Sequence, residues 1–410
     1  MPTLRPRLVI AALVLAGLGV GVWMRSSEVV RPPASLSPTA RAEPTPDERD
    51  AVALVAQAAG RIRTLPGVGD DLAQALQPDG PPAPEDRGAW RRYARGLEPL
   101  EAALAKPGAL HAEWDGAGAG EAPLLVPWQW LGSALVVRGW DRGLDGEVDG
   151  GLRDMLLAVE LGRRTRGAST WVVPTAVGDG IINRAAVEIE QYVRTFGSSD
   201  PALHEAAILG LEAALEDPPL MWRAVQADCA SWIRQGVSDF AARPYIELPP
   251  IGGPFPRYAS RVNLPMVFAP VLLDARTTYA EGARRCEQQA AIARLPYPER
   301  PSQPPAPAGS GEEADWFVNH AGTEILADTV NYPMVVVRED QARARVAGVW
   351  SVLSARRWWL VEGALPTSVQ LPLPHDPFSD RPFAIVDGVI LSAGEAATHP
   401  NTPLRWVVLP

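Results

Sequence analysis

Lysine is almost missing from this chain: of its 38 basic residues only Lys106 is a lysine, and the other 37 are arginine. Phosphate-loop chemistry, Schiff-base chemistry and serine–lysine dyads each need a placed lysine. Lys106 lies in EAALAKPG, just before Pro107-Gly108, where a cation complements the end of a helix and does no more. Cysteine is scarcer still, with Cys229 and Cys286 alone and no CxxC or Cys/His spacing, so a zinc site has no support. Both cysteines fall in stretches patterned as helix. In an oxidising compartment they could pair and close a loop worth about 4 kcal/mol. As free thiols they would serve as small buried hydrophobes.

Other chemical signatures are missing too. His204-Glu205 has no second histidine four residues on, as a zincin would. There is no G-x-S-x-G elbow. Gly116, Gly118 and Gly120 in DGAGAGEA are followed by no lysine. Asp141, Asp145, Asp149 and Asp154 in DRGLDGEVDGGLRD miss the calcium-loop spacing and read as a helix connector. His111, His320 and His399 stand near no recognisable nucleophile, and His375-Asp376 falls in a proline-rich turn. The sequence therefore predicts no catalytic residue and no cofactor or cofactor-binding residue.

What is present is a charge asymmetry. Net charge is −10, yet residues 1–42 hold Arg5, Arg7, Arg25, Arg31 and Arg41 against Glu28, which leaves −14 on the rest. An acidic body does not suit nucleic acid, whose phosphates need a basic face. Between Arg7 and Arg25, Leu8 to Met24 form 17 uncharged apolar residues, about 26 Å as helix, with Trp23 at one end. This predicts a signal anchor over 1–25 with a cytoplasmic N-terminus: a single inner-membrane pass and a periplasmic body. The rival is a cleaved signal peptide, but Ala40-Arg41-Ala42 lies 16 residues beyond Met24, too far for an ordinary cleavage region.

Proline is abundant, with 42 residues, and punctuates the apolar stretches. Residues 26–45 read as a Pro-rich tether. Thr45-Pro46-Asp47-Glu48 then opens a helical domain over 46–295. Within it, Trp90, Tyr93, Leu97 and Leu100 predict one helix kinked at Pro99. Further helices follow from Trp128, from Leu152, from Ser199-Asp200-Pro201 and after Pro218-Pro219. A proline-rich loop over 244–265 precedes a helix from about Pro270 to Arg294. Short connections suggest stacked antiparallel hairpins, α-solenoid-like. A second Pro-rich linker spans 296–314. The last part, 315–410, reads as a small α+β module: a helix over 338–361, a β-hairpin turning at Asp387-Gly388, and a third strand near Leu404 to Leu409. The fold class expected is thus mainly α with a C-terminal α+β module. The fourteen tryptophans read as core anchors, with Trp358-Trp359 the adjacent pair able to turn one ring outward.

The run Gly363-Ala-Leu-Pro366, a proline-rich stretch, DPFSDRP at 376–382 and the following hairpin resemble a module of membrane-anchored envelope proteins of myxobacteria, planctomycetes and similar GC-rich bacteria. GWDRGLDGEVDGGLRDMLLAVELGRR and RVNLP…TTYAE look like the helical body of the same group, so the resemblance covers roughly 130–410. It implies a location rather than an activity. The DPF turn and hairpin are also similar to the C-terminal end of the type II secretion major pseudopilin, where acidic loop residues can hold calcium. That resemblance would assign a calcium site to Asp376, Asp380 and Asp387. The chain departs from pseudopilins at its N-terminus, which lacks the Gly-Phe cleavage site and the early glutamate of the apolar helix.

Together these features predict a non-enzymatic, membrane-tethered scaffold that binds another envelope protein or polymer. A hydrolase acting on envelope polymer through paired acidic residues is the alternative, because such pairs leave no sequence signature. A secretion-associated accessory protein is a further one.

Overall fold

Thr45 starts the first helix by a reciprocal cap: its hydroxyl accepts from the Glu48 amide at 3.2 Å, and the Glu48 carboxylate accepts from the Thr45 amide at 2.8 Å. The computed structural model describes residues 31–36, 45–69, 72, 87–108, 110, 125–168, 171–242, 245–248, 260–263, 273–301, 321, 325–326, 333–367, 370–392 and 404–408. Among them the protein is mainly helical, with a small C-terminal β region. The segment from Leu8 to Met24 lies outside the described residues, and no described helix is long and apolar enough to cross a membrane. Contacts divide the chain into two units: Met1–Arg41, Val225–Ala291 and Pro301–Asn331 form one; Ala42–Ala224, Ile292–Arg300 and Tyr332–Pro410 form the other.

In the second unit the helices are α1 (Pro46–Arg63), α2 (Arg87–Ala94), α3 (Glu98–Leu104), α4 (Leu125–Leu144), α5 (Val148–Ala168), α6 (Val172–Phe196) and α7 (Pro201–Glu216). The single kinked helix expected through Pro99 is two helices. The chain breaks at 95–97, and Pro99 falls in the first turn of α3, where its missing N–H leaves no bond unmade. Trp90, Tyr93, Leu97 and Leu100 are all buried despite the break. Asp200 caps α7, accepting from the Ala202 amide at 2.9 Å.

Contacts between named residues give the helix directions. Gly139 meets Gly151 and Arg138 meets Asp154, so α4 and α5 are antiparallel. Gly162 meets Gly178 while Gly151 meets Tyr192, so α5 and α6 are antiparallel as well. At the Gly162–Gly178 crossing a Cβ on either residue would stand 2.7 Å or less from the partner's carbonyl oxygen, so these helices touch backbone to backbone. The long helix α10 (Pro333–Glu362) packs on both α6 and α7. Its Glu339 lies beside Arg166 of α5 and its Arg356 beside Glu190 of α6, which sets it parallel to α6. Thus α5, α6, α7 and α10 surround one apolar core.

Helix α10 also carries the C-terminal strands. β3 (His375–Asp376) pairs with β4 (Arg381–Pro382), and β5 (Ile385–Val386), β6 (Val389–Leu391) and β7 (Arg405–Val407) form an antiparallel three-stranded sheet. Asp387 and Gly388, at φ 49° and 75°, make the expected two-residue hairpin turn, with Val386 opposite Val389. Phe383, Ile390 and Trp406 turn inward; Val386, Leu391 and Val407 are exposed.

The first unit holds α8 (Met221–Ala242) from Val225 on and most of α9 (Ala275–Arg294). A disulfide joins Cys229 of α8 to Cys286 of α9, and both residues are buried. Where the sequence suggested only a proline-rich loop over 244–265, β1 (Tyr245–Leu248) pairs with β2 (Ser260–Asn263). The prolines at 249, 250, 254 and 256 lie between Leu248 and Ser260 in the sequence, and none falls within either strand. α9 starts later than Pro270, because Asp274 caps it by accepting from the Thr277 amide at 3.1 Å.

Candidate functional site

The apolar stripes of three helices each end in a charged residue. On α5 the buried positions Met155 and Val159 lead to Arg166; on α6 Asp179 precedes Ile182 and Ala186; on α10 Glu339 precedes Val346, Val349 and Leu353. The 3.6-residue period places Arg166, Asp179 and Glu339 on the core side of their helices, and packing brings them together. All three are buried, at no more than 3% side-chain exposure.

Arg166 stands between the two acids. One Nη lies 3.1 Å from Asp179 Oδ1; the other lies 3.2 Å from Glu339 Oε1 and donates to the Pro218 carbonyl at 3.0 Å. Glu339 spends its remaining capacity on the start of α8, accepting from the Leu220 amide at 2.7 Å and the Met221 amide at 3.2 Å. It thereby acts as an N-terminal cap supplied from a distant helix. Asp179 is served less well, since neither of its oxygens receives an aligned hydrogen bond. Burial pushes its carboxyl up to about 7; Arg166 opposes that rise, Glu339 adds to it, Arg343 opposes it and Asp340 adds to it.

The next residue on α10 repeats the pattern. Asp340 binds the guanidinium of Arg300, whose Nε donates to the Leu295 carbonyl at 2.8 Å. Burial raises Asp340 to about 6 against the pull of Arg300. Arg294 stacks over the Trp222 ring at 3.7 Å from its centroid, and Tyr297 meets Phe378 edge-on. Adjacent acids on α10 thus hold two segments: Glu339 holds 220–221, and Asp340 holds Arg300.

A carboxyl near 7 has the proton affinity of a general acid, but such a group must reach its substrate. Asp179 is sealed inside the helices. A cavity of about 60 Å³ lies at the other end of the helices, lined by Arg194, Ser198, His204, Arg356, Trp359, Leu360 and Val408. Ligand pockets begin at roughly 300 Å³. Its two buried polar side chains are already engaged: Arg356 donates to the Val407 and Val408 carbonyls and to Glu190. His204 Nδ1 donates to the Asp200 carbonyl at 2.9 Å, and burial lowers its proton affinity.

The residues singled out from sequence are dispersed. Asp376 is buried, accepting from the Phe378 amide at 3.1 Å and the Ser392 hydroxyl at 3.0 Å. Asp380 and Asp387 are exposed in turns at positive φ. Among the described residues no three His, Cys, Asp or Glu side chains gather as a metal site. The acids of the α4–α5 connection bind arginines: Asp141 takes Arg87 at 2.5 Å, Asp145 takes Arg91 at 2.9 Å, and Asp154 takes Arg138 at 2.7 Å. Trp359 is the outward member of its pair, and Trp358 is half-buried. His111, His320 and His399 lie outside the described residues.

The members of the Arg166–Asp179–Glu339 cluster lie far apart in the chain, so no local pattern names it. An ionisable residue on an apolar stripe was the signal available. Set against known protein families, curated proteins and solved structures, the chain matches none.

Proposed function

We propose that this protein is a helical scaffold, tethered in the inner membrane by residues 1–25, whose body lies outside the cytoplasm and binds another envelope component. The observation that carries the reading is where the protein spends its unusual carboxyls. Asp179 and Asp340 hold helices and chain segments together inside the second unit, out of reach of any polymer. The antiparallel run of α4, α5 and α6 fits a stack of helical hairpins, an architecture used for binding surfaces. The Cys229–Cys286 disulfide fits an oxidising compartment. Hydrolysis through acidic residues would instead need two carboxylates facing a cleft.

The test has two arms. Protease added to intact spheroplasts should digest residues 46–410, and protection of that region would place the body in the cytoplasm and end the proposal. Crosslinking in intact cells should then trap one recurrent envelope partner. Release of soluble fragments from purified envelope polymer by the full-length protein would support the hydrolase instead.

A further inference from the structure

The chain leaves the second unit after Ala224, returns for Ile292–Arg300, leaves again and returns at Tyr332. The first departure and the first return are the two segments held by Glu339 and Asp340. We propose that these neighbouring acids, together with Arg166 and Asp179, form a proton-tightened clamp by which the second unit grips the segments leading out of it and back into it. The inference concerns residues of the second unit alone and does not depend on the scaffold reading.

The geometry supplies the coupling. Leu220 and Met221 hang by their amides on Glu339, whose other partner is Arg166. Arg166 is shared with Asp179, so any charge gained by Asp179 competes for the guanidinium that steadies Glu339. Asp179 faces Arg166 from α5, and Glu339, Asp340 and Arg343 from α10. Arg343 is turned toward the α7–α8 connection, donating to the Asp217 carbonyl at 3.4 Å, while the Asp217 carboxylate is taken by Arg163 at 2.9 Å. Asp340 faces Arg300, Glu339 and Arg343, with Tyr297 nearby. There is thus one fully buried cation, Arg166, between two buried carboxylates, and burying both charges at once is unfavourable.

The direction of the response follows from the proton balance. In the closed clamp Asp179 keeps its proton up to about pH 7 and Asp340 up to about pH 6. When the segments lift, water enters and both carboxyls return to the ordinary range near 4. The closed form therefore binds more protons than the open one. Closing is strongest at about pH 4, weakens as pH rises toward about 6 for Asp340 and about 7 for Asp179, and levels off above those values.

Hydrogen exchange of the full-length protein, followed by mass spectrometry from pH 5 to 8.5 and corrected for intrinsic rates, reads this directly. Protection of peptides covering 219–224 and 295–301 should fall by up to about tenfold per pH unit below pH 7 and then flatten. The capped start of α1 should show no such fall. Asp179→Asn should flatten the slope at 219–224, and Asp340→Asn should flatten it at 295–301. Protection independent of pH in the wild-type chain would overturn the clamp, and so would an unchanged slope in both asparagine variants. If Asp179→Asn fails to fold, Asp340→Asn and the wild-type profile still decide.

Discussion

The indole of Trp406 in β7 lies directly on Gly348 of α10, so close that a Cβ at that position would overlap the ring. This contact, with Phe383 edge-on to the same indole, seats the three-stranded sheet on the long helix. Gly348→Ala should therefore force the ring or the strand outward, although alanine favours helix by about 1 kcal/mol over glycine. Overpacking dominates, and we expect a net loss of about 1–3 kcal/mol with a changed tryptophan fluorescence spectrum. Trp406→Leu combined with Gly348→Ala should recover part of the loss. A stabilised single variant would mean that the ring moves freely.

Arg356 fastens the same strand from another side. Its Nε and one Nη donate to the Val408 and Val407 carbonyls at 2.9 and 2.6 Å, and the other Nη pairs with Glu190 at 2.8 Å. Arg356→Ala leaves two carbonyls and a carboxylate without their donor, which should cost about 3–5 kcal/mol in chemical denaturation. Arg356→Lys should retain little, because one ammonium cannot span three acceptors. Equal stability of the lysine variant and the wild type would refute this account.

Features that depend on neighbouring residues were legible in the sequence. The Thr45–Glu48 cap, the Asp200 cap and the Asp387-Gly388 turn each lie within a few residues, and the backbone follows them. The prolines are less legible. In its apolar pattern Pro99 suggests a kink, yet it begins α3, since its ring suits a first turn as readily as it bends an interior. The β1–β2 pair was hidden by proline content, although Tyr245-Ile-Glu-Leu248 alternates as a strand should. What local pattern could not supply was partnership across the chain. Arg166 and Glu339 are 173 residues apart, and nothing near either residue names the other. Within the sequence, Arg166, Asp179 and Glu339 show only as ionisable residues placed on apolar stripes.

The disulfide gives a prediction confined to one unit. Cys229 and Cys286 are 57 residues apart, and both lie in the first unit. Chain entropy assigns such a loop about 4 kcal/mol. The double variant Cys229→Ser, Cys286→Ser should destabilise α8 and α9 by that order while the core of α5, α6, α7 and α10 keeps its unfolding midpoint. Hydrogen exchange resolved by segment separates the two. Uniform loss of protection across both units would show that they unfold together.

The last prediction concerns the DPF turn, where a structural reading and a calcium reading part. Asp376 is buried, and both of its oxygens are engaged, by the Phe378 amide and by the Ser392 hydroxyl, which lies 3.0 and 3.1 Å from them. Phe378 is buried against Tyr297. Asp376→Ala removes the buried acceptor of the Phe378 amide and the Ser392 hydroxyl, which should cost about 1–3 kcal/mol. Asp376→Asn keeps one acceptor and should cost less. Asp380 is exposed at φ 53°, so Asp380→Gly should be neutral or slightly stabilising, while Asp380→Ala should lose up to about 1–2 kcal/mol to backbone strain. A calcium ion would need Asp376 to abandon partners it already holds, so added calcium should leave the thermal midpoint of the purified protein unchanged. A calcium-dependent rise that disappears in both Asp376→Ala and Asp380→Gly would replace the structural account with a metal site. Asp380→Gly discriminates best, because it removes a ligand without disturbing the turn.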